Sequence, residues 1–510
     1  MLPTVYMQLD EMPMTPNGKI DRRKLPEPVR HGSYEEPATP MERELCEQYA
    51  KILGLEKVGA LDSFFEIGGD SISASNLLTF AMGKGYPLVY KDIFKNPTPR
   101  QLAAVITGAV RSEHSRQAED YDYSRIDSLI AQNTMEHLDE ISTEPVKNVI
   151  LTGATGFLGI HILHQFLETS KGKIFCLMRK VQWDTPENHL ESLLMYYFGN
   201  TYEELFGERI FCLEGDITDR GSLLAIDAVK GDMVINCAAN VKHFVKDDSL
   251  DRINFHGVQN LIEVCLKNRM RLVQVSTLSV GGSTEAGQKD RLYENDLFFG
   301  QNLDNDYIRT KFLAERAILE ARVERGLDTV ILRAGNLMGR YSDGEFQINL
   351  LTNAFMRSLA AFNRLGACPV SALTKAVELS PIDSTAAAML ALAGVNGRFS
   401  VFNVNNNHSV TMKDIIFALN RNGFRIAIVT EQEFAEIMQA ASKNDSYSES
   451  ILSMTAYEER EGESLVPVDS DNYFTVNALD RLGFEWPIVD DAYLDRIISA
   501  VETLEFFQNL

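Results

Sequence analysis

Two hydrophobic periods divide this chain of 510 residues. From Pro40 to about Ile106 the apolar positions follow helical spacing. Leu45, Tyr49, Ile52 and Leu53 share one helix face. A second helix is predicted to start at Ser71 and to use Ile72, Leu77, Leu78 and Phe80. A third follows Pro97-Thr98-Pro99 and carries Leu102, Val105 and Ile106. Together they predict a small bundle, of the size of a four-helix bundle, over residues 37–110. At Val146 the period changes, and short apolar runs alternate with longer amphipathic stretches. The runs are Val149-Ile150-Leu151, Ile174-Phe175-Cys176-Leu177, Ile210-Phe211-Cys212-Leu213, Met233-Val234-Ile235, Leu272-Val273-Gln274-Val275 and Val330-Ile331-Leu332. Strands apolar throughout, joined by helical crossovers, predict a doubly wound parallel sheet covered on both faces.

The rest of the chain is less periodic. Residues 1–36 hold five prolines, Pro3, Pro13, Pro16, Pro26 and Pro28, and cannot form a core alone. Residues 111–145 are polar and charged and read as a linker. Residues 146–340 carry the predicted sheet, and residues 341–510 predict a smaller substrate-facing subdomain, part of which returns to the core. The apolar run Ala386–Val395 is too short to span a bilayer and reads as a buried helix, so no membrane partner is expected.

Composition narrows the function classes. Hydrophobic residues make up 45% and charged residues 24%, as in globular chains. The net charge is −23, from 49 basic and 72 acidic residues, which favours solubility. Without a basic excess to release counterions, no nucleic-acid partner is expected. None of the six cysteines forms a C-x-x-C pair, so no metal site or redox motif is expected. Most sit in apolar runs as small hydrophobes, and a cytoplasmic location is the simplest reading. Asp10 and Glu11 come early and no basic start leads into an apolar stretch, so no leader is expected.

The first predicted strand runs into Thr152-Gly153-Ala154-Thr155-Gly156-Phe157-Leu158-Gly159. This T-G-x-x-G-x-x-G pattern is a dinucleotide fingerprint of Rossmann-like folds. Gly153 permits the tight turn, Gly156 admits a pyrophosphate, and Gly159 lets the helix pack close to the strand. The phosphates would meet the free N–H groups of the helix start, including those of Thr155, Phe157 and Leu158. The second strand ends in Arg179-Lys180, 20 residues beyond Gly159. An acid there would suit ribose hydroxyls; arginine suits a 2′-phosphate, so NADPH is the expected cofactor. Asp216, followed by Ile217, closes the third strand and either contacts the adenine or serves as a turn aspartate.

Tyr307-Ile308-Arg309-Thr310-Lys311 puts tyrosine and lysine on one helical face. The Lys311 ammonium would favour the Tyr307 phenolate, lower its pKa and make it a better acid. The fifth strand ends in Val275-Ser276-Thr277-Leu278-Ser279, whose hydroxyls would face the same pocket. Thr277 is favoured over Ser276, with Ser279 third.

These elements resemble the extended short-chain dehydrogenase/reductase family over about residues 146–407. Asn236-Cys237-Ala238-Ala239, Asn254 and Arg333-Ala334-Gly335-Asn336-Leu337 sharpen the likeness. The resemblance implies that Asn236, Cys237, Ala238, Ala239 and Asn254 lie along the cofactor. It implies that Gly335, Asn336 and Leu337 lie near the nicotinamide. His243 either reaches the pocket or is structural, the structural role being favoured. The family's usual proline before Gly335 is Ala334 here.

Upstream, Met14-Thr15-Pro16-Asn17-Gly18-Lys19 and the following residues to Pro26 resemble the end of a nonribosomal-peptide adenylation domain. The resemblance implies a remnant of such a domain over 1–36, in which Lys19 has no site. Phe64-Phe65-Glu66-Ile67-Gly68-Gly69-Asp70-Ser71 resembles the attachment site of a peptidyl carrier protein, with phosphopantetheine on Ser71. A serine before an apolar helix is otherwise most often an N-cap. The order resembles the end of a nonribosomal peptide synthetase whose last domain is a thioester reductase. This implies upstream adenylation and condensation domains, a phosphopantetheinyl transferase and an acyl or peptidyl thioester as partners. NADPH would reduce the thioester to an aldehyde, through collapse of a hemithioacetal, and a second round would give an alcohol. Thr277 and Tyr307 would bind the developing oxyanion, with Lys311 tuning Tyr307. The alternatives are a non-redox release domain of the same fold, a carrier joined to an inactive docking module, and an epimerase-like enzyme.

Overall fold

The computed structural model describes residues 34–84, 86, 88, 90–107, 118, 120–180, 184–241, 247–350, 353–441 and 465–503. Lys19 and its motif, the stretch Arg111–Gln117 and His243 lie outside these residues. The chain divides into two compact units, residues 1–111 with 440–462 and residues 112–439 with 463–510.

Among the described residues the first unit is built on four helices: α1 Pro40–Leu53, α2 Ser71–Gly83, α3 Tyr90–Lys95 and α4 Pro99–Ile106. Thr39 caps α1 by accepting the Glu42 N–H, and Gly54 ends it at φ 66 in the left-handed region. A capping box between Thr98 and Gln101 starts α4. Leu45, Tyr49, Phe64, Leu77, Ile93 and Leu102 form the core. The Tyr49 hydroxyl donates to the Pro97 carbonyl at 3.2 Å and ties α1 to the turn before α4. Apolar spacing alone does not reveal α3, because six residues are too few to show a period.

Seven parallel strands form the sheet of the second unit: β1 Val149–Thr152, β2 Ile174–Met178, β3 Ile210–Glu214, β4 Met233–Asn236, β5 Arg271–Thr277, β6 Thr329–Ala334 and β7 Val401–Val404. Their order is β7-β6-β5-β4-β1-β2-β3. The connections reverse direction between β1 and β4, where open α/β sheets leave a crevice at the carboxyl ends of the strands. The helices are α5 Ser124–Ile130, α6 Phe157–Thr169, α7 Pro186–Phe198, α8 Gly257–Asn268, α9 Asp306–Arg325, α10 Ala354–Leu365, α11 Ile382–Ala393, α12 Met412–Arg421, α13 Glu431–Ala441, α14 Tyr473–Arg481 and α15 Asp491–Thr503.

Both sheet faces are buried, which is why the strands read as continuous apolar runs. On one face Val149, Leu151 and Val330 pack with α6, α7, α11 and α14. On the other, Ile150, Val234 and Ile331 pack with α5, α8 and α9. The seventh strand is not apparent in the sequence. Asn403 interrupts its apolar run, and it follows a long excursion from β6 that includes α10 and α11. The Ala386–Val395 run falls largely in the buried helix α11.

The expected linker needs correcting. Residues 120–145 fold onto the second unit. Ile126 and Ile130 are buried against it, and Tyr123 stacks on Phe298 with centroids 5.1 Å apart. The Glu144 N–H donates to the Gly394 carbonyl at 2.9 Å. Only a few apolar residues make these contacts, scattered among charges, so composition does not reveal them. Among the described residues no helix is long and apolar enough to cross a membrane, and no group of three or more His, Cys, Asp or Glu could hold a metal ion.

Candidate active site and carrier serine

In the first unit the turn before α2 is shaped by two glycines. Gly68 has φ 110, where a side chain would be strained. A Cβ on Gly69 would strike the Phe64 ring. This turn brings Asp70 to the helix start. Its carboxylate accepts the Ser73 N–H at 2.8 Å, and the Asp70 N–H donates to the Ser73 hydroxyl at 2.7 Å. Asp70 therefore fills the capping role, and Ser71 stands one place inside the helix. The N-terminal end of α2 suits a negative phosphodiester.

In the second unit a cleft of about 580 Å³ opens at the crevice between β1 and β4. Gly153, Thr155 and Gly156 line it from the loop after β1, Arg179 and Lys180 from the end of β2, Asp216 and Ile217 from the end of β3, and Ala238 and Ala239 from the end of β4. Gly153 has φ +71, and a Cβ there would come within 2.7 Å of the Ala238 nitrogen. A Cβ on Gly159 would collide with the Gly153 carbonyl oxygen. Both glycines thus let α6 and the loop after β4 close on the turn. The first-turn N–H groups of α6 have no preceding carbonyl to accept them. This cradle of glycines and free N–H groups, with Arg179 and Lys180 at its rim, fits a dinucleotide.

Thr277 and Tyr307 meet at the adjacent end of β5. Tyr307, buried in the first turn of α9, hydrogen-bonds the Thr277 side chain. Ser276 points elsewhere, its hydroxyl donating to Glu315 at 2.5 Å. The Ser279 hydroxyl lies 3.2 Å from that of Thr277. Lys311, one turn beyond Tyr307, donates to the Val275 carbonyl at 2.7 Å. Burial pulls its ammonium down to about 8, with Glu315 and Cys237 acting the other way. The expected lowering of the Tyr307 pKa by Lys311 does not occur. Burial raises it, the Thr277 bond partly offsets this, and the ammonium is committed to the Val275 carbonyl.

Known proteins match both units. The family model described as "Phosphopantetheine attachment site" matches residues 43–106, and that described as "Male sterility protein" matches residues 151–389. A solved thiolation-reductase di-domain from an archaeal nonribosomal peptide synthetase is 37% identical, with a TM-score of 0.83, over 93% of this chain and 100% of that one. The chain belongs to this family of thiolation–reductase di-domains. One of the linear gramicidin synthase subunits of Brevibacillus parabrevis is 29% identical over 87% of this chain and 9% of its own length. The L-2-aminoadipate reductase large subunit of Eremothecium gossypii is 25% identical over 87% of this chain and 35% of its own length. The di-domain chain thus spans a minor part of these two longer proteins.

Most other expected residues of the reductase unit do not line the cleft. The Phe157 side chain stacks on Phe346 with centroids 5.6 Å apart, and Leu158 is buried; neither residue lines the cleft. Asn236 is buried, accepts the Thr152 hydroxyl and donates to Gln274 at 2.8 Å, joining the ends of β1, β4 and β5. Asn254 accepts the Asn240 N–H at 2.8 Å and returns a bond to the Asn240 carbonyl at 2.9 Å, fixing the loop after β4. Asp216 lines the cleft but spends one carboxylate oxygen on the Thr218 N–H at 2.8 Å, the turn role left open by the sequence. Gly335, Asn336 and Leu337 follow β6 and do not line the cleft. The Asn336 N–H donates to the half-buried Glu378 at 2.6 Å, and desolvation pushes that carboxyl up to about 7. Ala334 pairs with Thr277 across the sheet, which brings this segment to the same end of β5.

Cleft residues not foreseen from the sequence include His189 on α7 and Ile253. Cys237 lines the cleft within the stretch Asn236-Cys237-Ala238-Ala239, which gives it a usable signal in the sequence. Burial pushes its thiol up to about 12, with the Lys311 charge opposing. His189 has none, because α7 reaches the cleft only through the tertiary fold.

Proposed function

We propose that this di-domain releases an acyl or peptidyl group, tethered as a thioester on Ser71, by reduction with NADPH. One observation carries the reading: a hydroxyl pair, Thr277 and Tyr307, joined at the end of β5 beside a glycine-built dinucleotide cradle. Ser71 would hold phosphopantetheine, and its place at the start of α2 within the matched segment supports this. Gly153, Gly156 and the first turn of α6 would hold the pyrophosphate. Arg179 and Lys180 would hold the 2′-phosphate. NADPH, when bound, supplies the hydride that turns the thioester into an aldehyde with release of the thiol.

Thr277 and Tyr307 would donate hydrogen bonds to the substrate carbonyl oxygen as negative charge grows on it. Tyr307 would then give that oxygen its proton. Its raised pKa keeps the proton on the phenol until the oxyanion forms. Lys311 would hold a ribose hydroxyl of the cofactor. Release as aldehyde or, after a second round, as alcohol follows from the same residues. The assay is direct: load the holo carrier with an aminoacyl or peptidyl group and follow NADPH absorbance. Oxidation coupled to release supports the reading; release by hydrolysis or cyclisation without oxidation refutes it.

A further inference from the structure

Three successive residues of β5 bond to three successive turns of α9. Val275 accepts from Lys311 at 2.7 Å, Ser276 donates to Glu315 at 2.5 Å, and Thr277 bonds Tyr307. Tyr307, Lys311 and Glu315 stand four residues apart and share one helix face. The first two have roles in the reading above; Glu315 has none. It is fully buried with Arg333 of β6, whose Nη2 donates to it at 2.7 Å and whose Nε donates at 3.1 Å. Arg333 is itself anchored to the Asp296 carbonyl at 2.8 Å and the Tyr293 carbonyl at 3.2 Å. A buried charge pair stabilises weakly compared with apolar packing, so its presence calls for another explanation.

We propose that Glu315 is a positioning residue of the reductase site: tied to Ser276 and Arg333, its carboxylate fixes the register of α9 on β5 and supplies the negative charge behind Lys311. The catalytic meaning of this rests on the reductase reading. Glu315 touches neither cleft nor hydroxyl pair, yet it holds the strand residue between Val275 and Thr277. A slip there moves the Thr277 hydroxyl away from Tyr307. The groups acting on the Lys311 charge are Glu315 on its own helix, which favours the ammonium, and Cys237 on the loop after β4, which acts the same way. Arg333 stands behind Glu315 and fixes where that negative charge lies.

The test uses the full di-domain with lysine ¹³C-labelled at Cε, Lys311 being assigned through Lys311→Met. Its titration is compared in wild type, Glu315→Gln, and Glu315→Gln with Arg333→Met. The double variant removes both buried charges if the single one fails to fold. In either variant the Lys311 midpoint should fall by about one pH unit. An unmoved midpoint overturns the electrostatic role. Ser276→Ala keeps the ion pair and deletes one bond. It should lower kcat on loaded carrier about tenfold while the NADPH Kd stays within about threefold. Unchanged kcat overturns the register role. If the wild type itself turns over no loaded carrier, the proposed function fails, and the Lys311 midpoint still decides on Glu315.

Discussion

The two units of this chain hold their candidate chemistry in opposite ways. In the carrier unit it rests on a single residue, Ser71, prepared by its immediate neighbours: Gly68 and Gly69 make the turn, and Asp70 caps α2 through Ser73. In the reductase unit the residues come from the ends of β1, β2, β3, β4 and β5 and from α9, and only the strand order brings them together. A locally built site should depend on a few residues around it. A site built by topology should be sensitive to packing changes that touch neither cofactor nor substrate, as at Gly159 or Glu315.

Four substitutions and one change of pH put this contrast at risk. The largest effect belongs to the local site. Ser71→Ala should abolish the phosphopantetheine adduct seen by intact-protein mass spectrometry, and NADPH binding should stay as in wild type. Next is Tyr307→Phe, which keeps the ring and removes the proton. Turnover should fall about 10²–10⁴-fold with NADPH Kd nearly unchanged, as read by stopped-flow and fluorescence titration. Third, Arg179→Ala should shrink the preference for NADPH over NADH by about tenfold, equal to one charge-assisted contact of about 1.4 kcal/mol. The smallest is a pH effect. Burial holds Lys311 near 8, below its ordinary value, so its ammonium form predominates only below that pH. The kcat of the loaded protein should therefore decline as pH rises through about 8. Lys311→Arg should flatten that limb while lowering the plateau.

What is legible in the sequence follows the same division. Six of the seven strands show themselves because both sheet faces are buried, leaving apolar runs. The seventh, β7, has Asn403 in its middle, whose side chain donates to the Asp471 carbonyl at 2.6 Å, a contact no local pattern encodes. The glycine loop, Arg179, Thr277 and Tyr307 are readable because each lies at the end of a recognisable strand or helix. Which hydroxyl at the end of β5 meets Tyr307 is not legible, because the sequence does not show that Glu315 takes the Ser276 hydroxyl. Residues 120–145 look like linker because their buried apolar residues are few and spaced among charges. The influence of Lys311 on Tyr307 is not legible, because the sequence shows the i, i+4 pairing but not the Val275 carbonyl that takes the ammonium.

The central claim is that Ser71 delivers a thioester to a hydride-transfer site in the same chain. The most direct measurement uses NADPH deuterated at the transferred position of the nicotinamide, with the Ser71 carrier loaded and the released product weighed. Reductive release predicts an aldehyde carrying one deuterium, or an alcohol carrying two, from wild type and only a trace of either from Tyr307→Phe. An unlabelled acid or cyclised product from the wild type would contradict it.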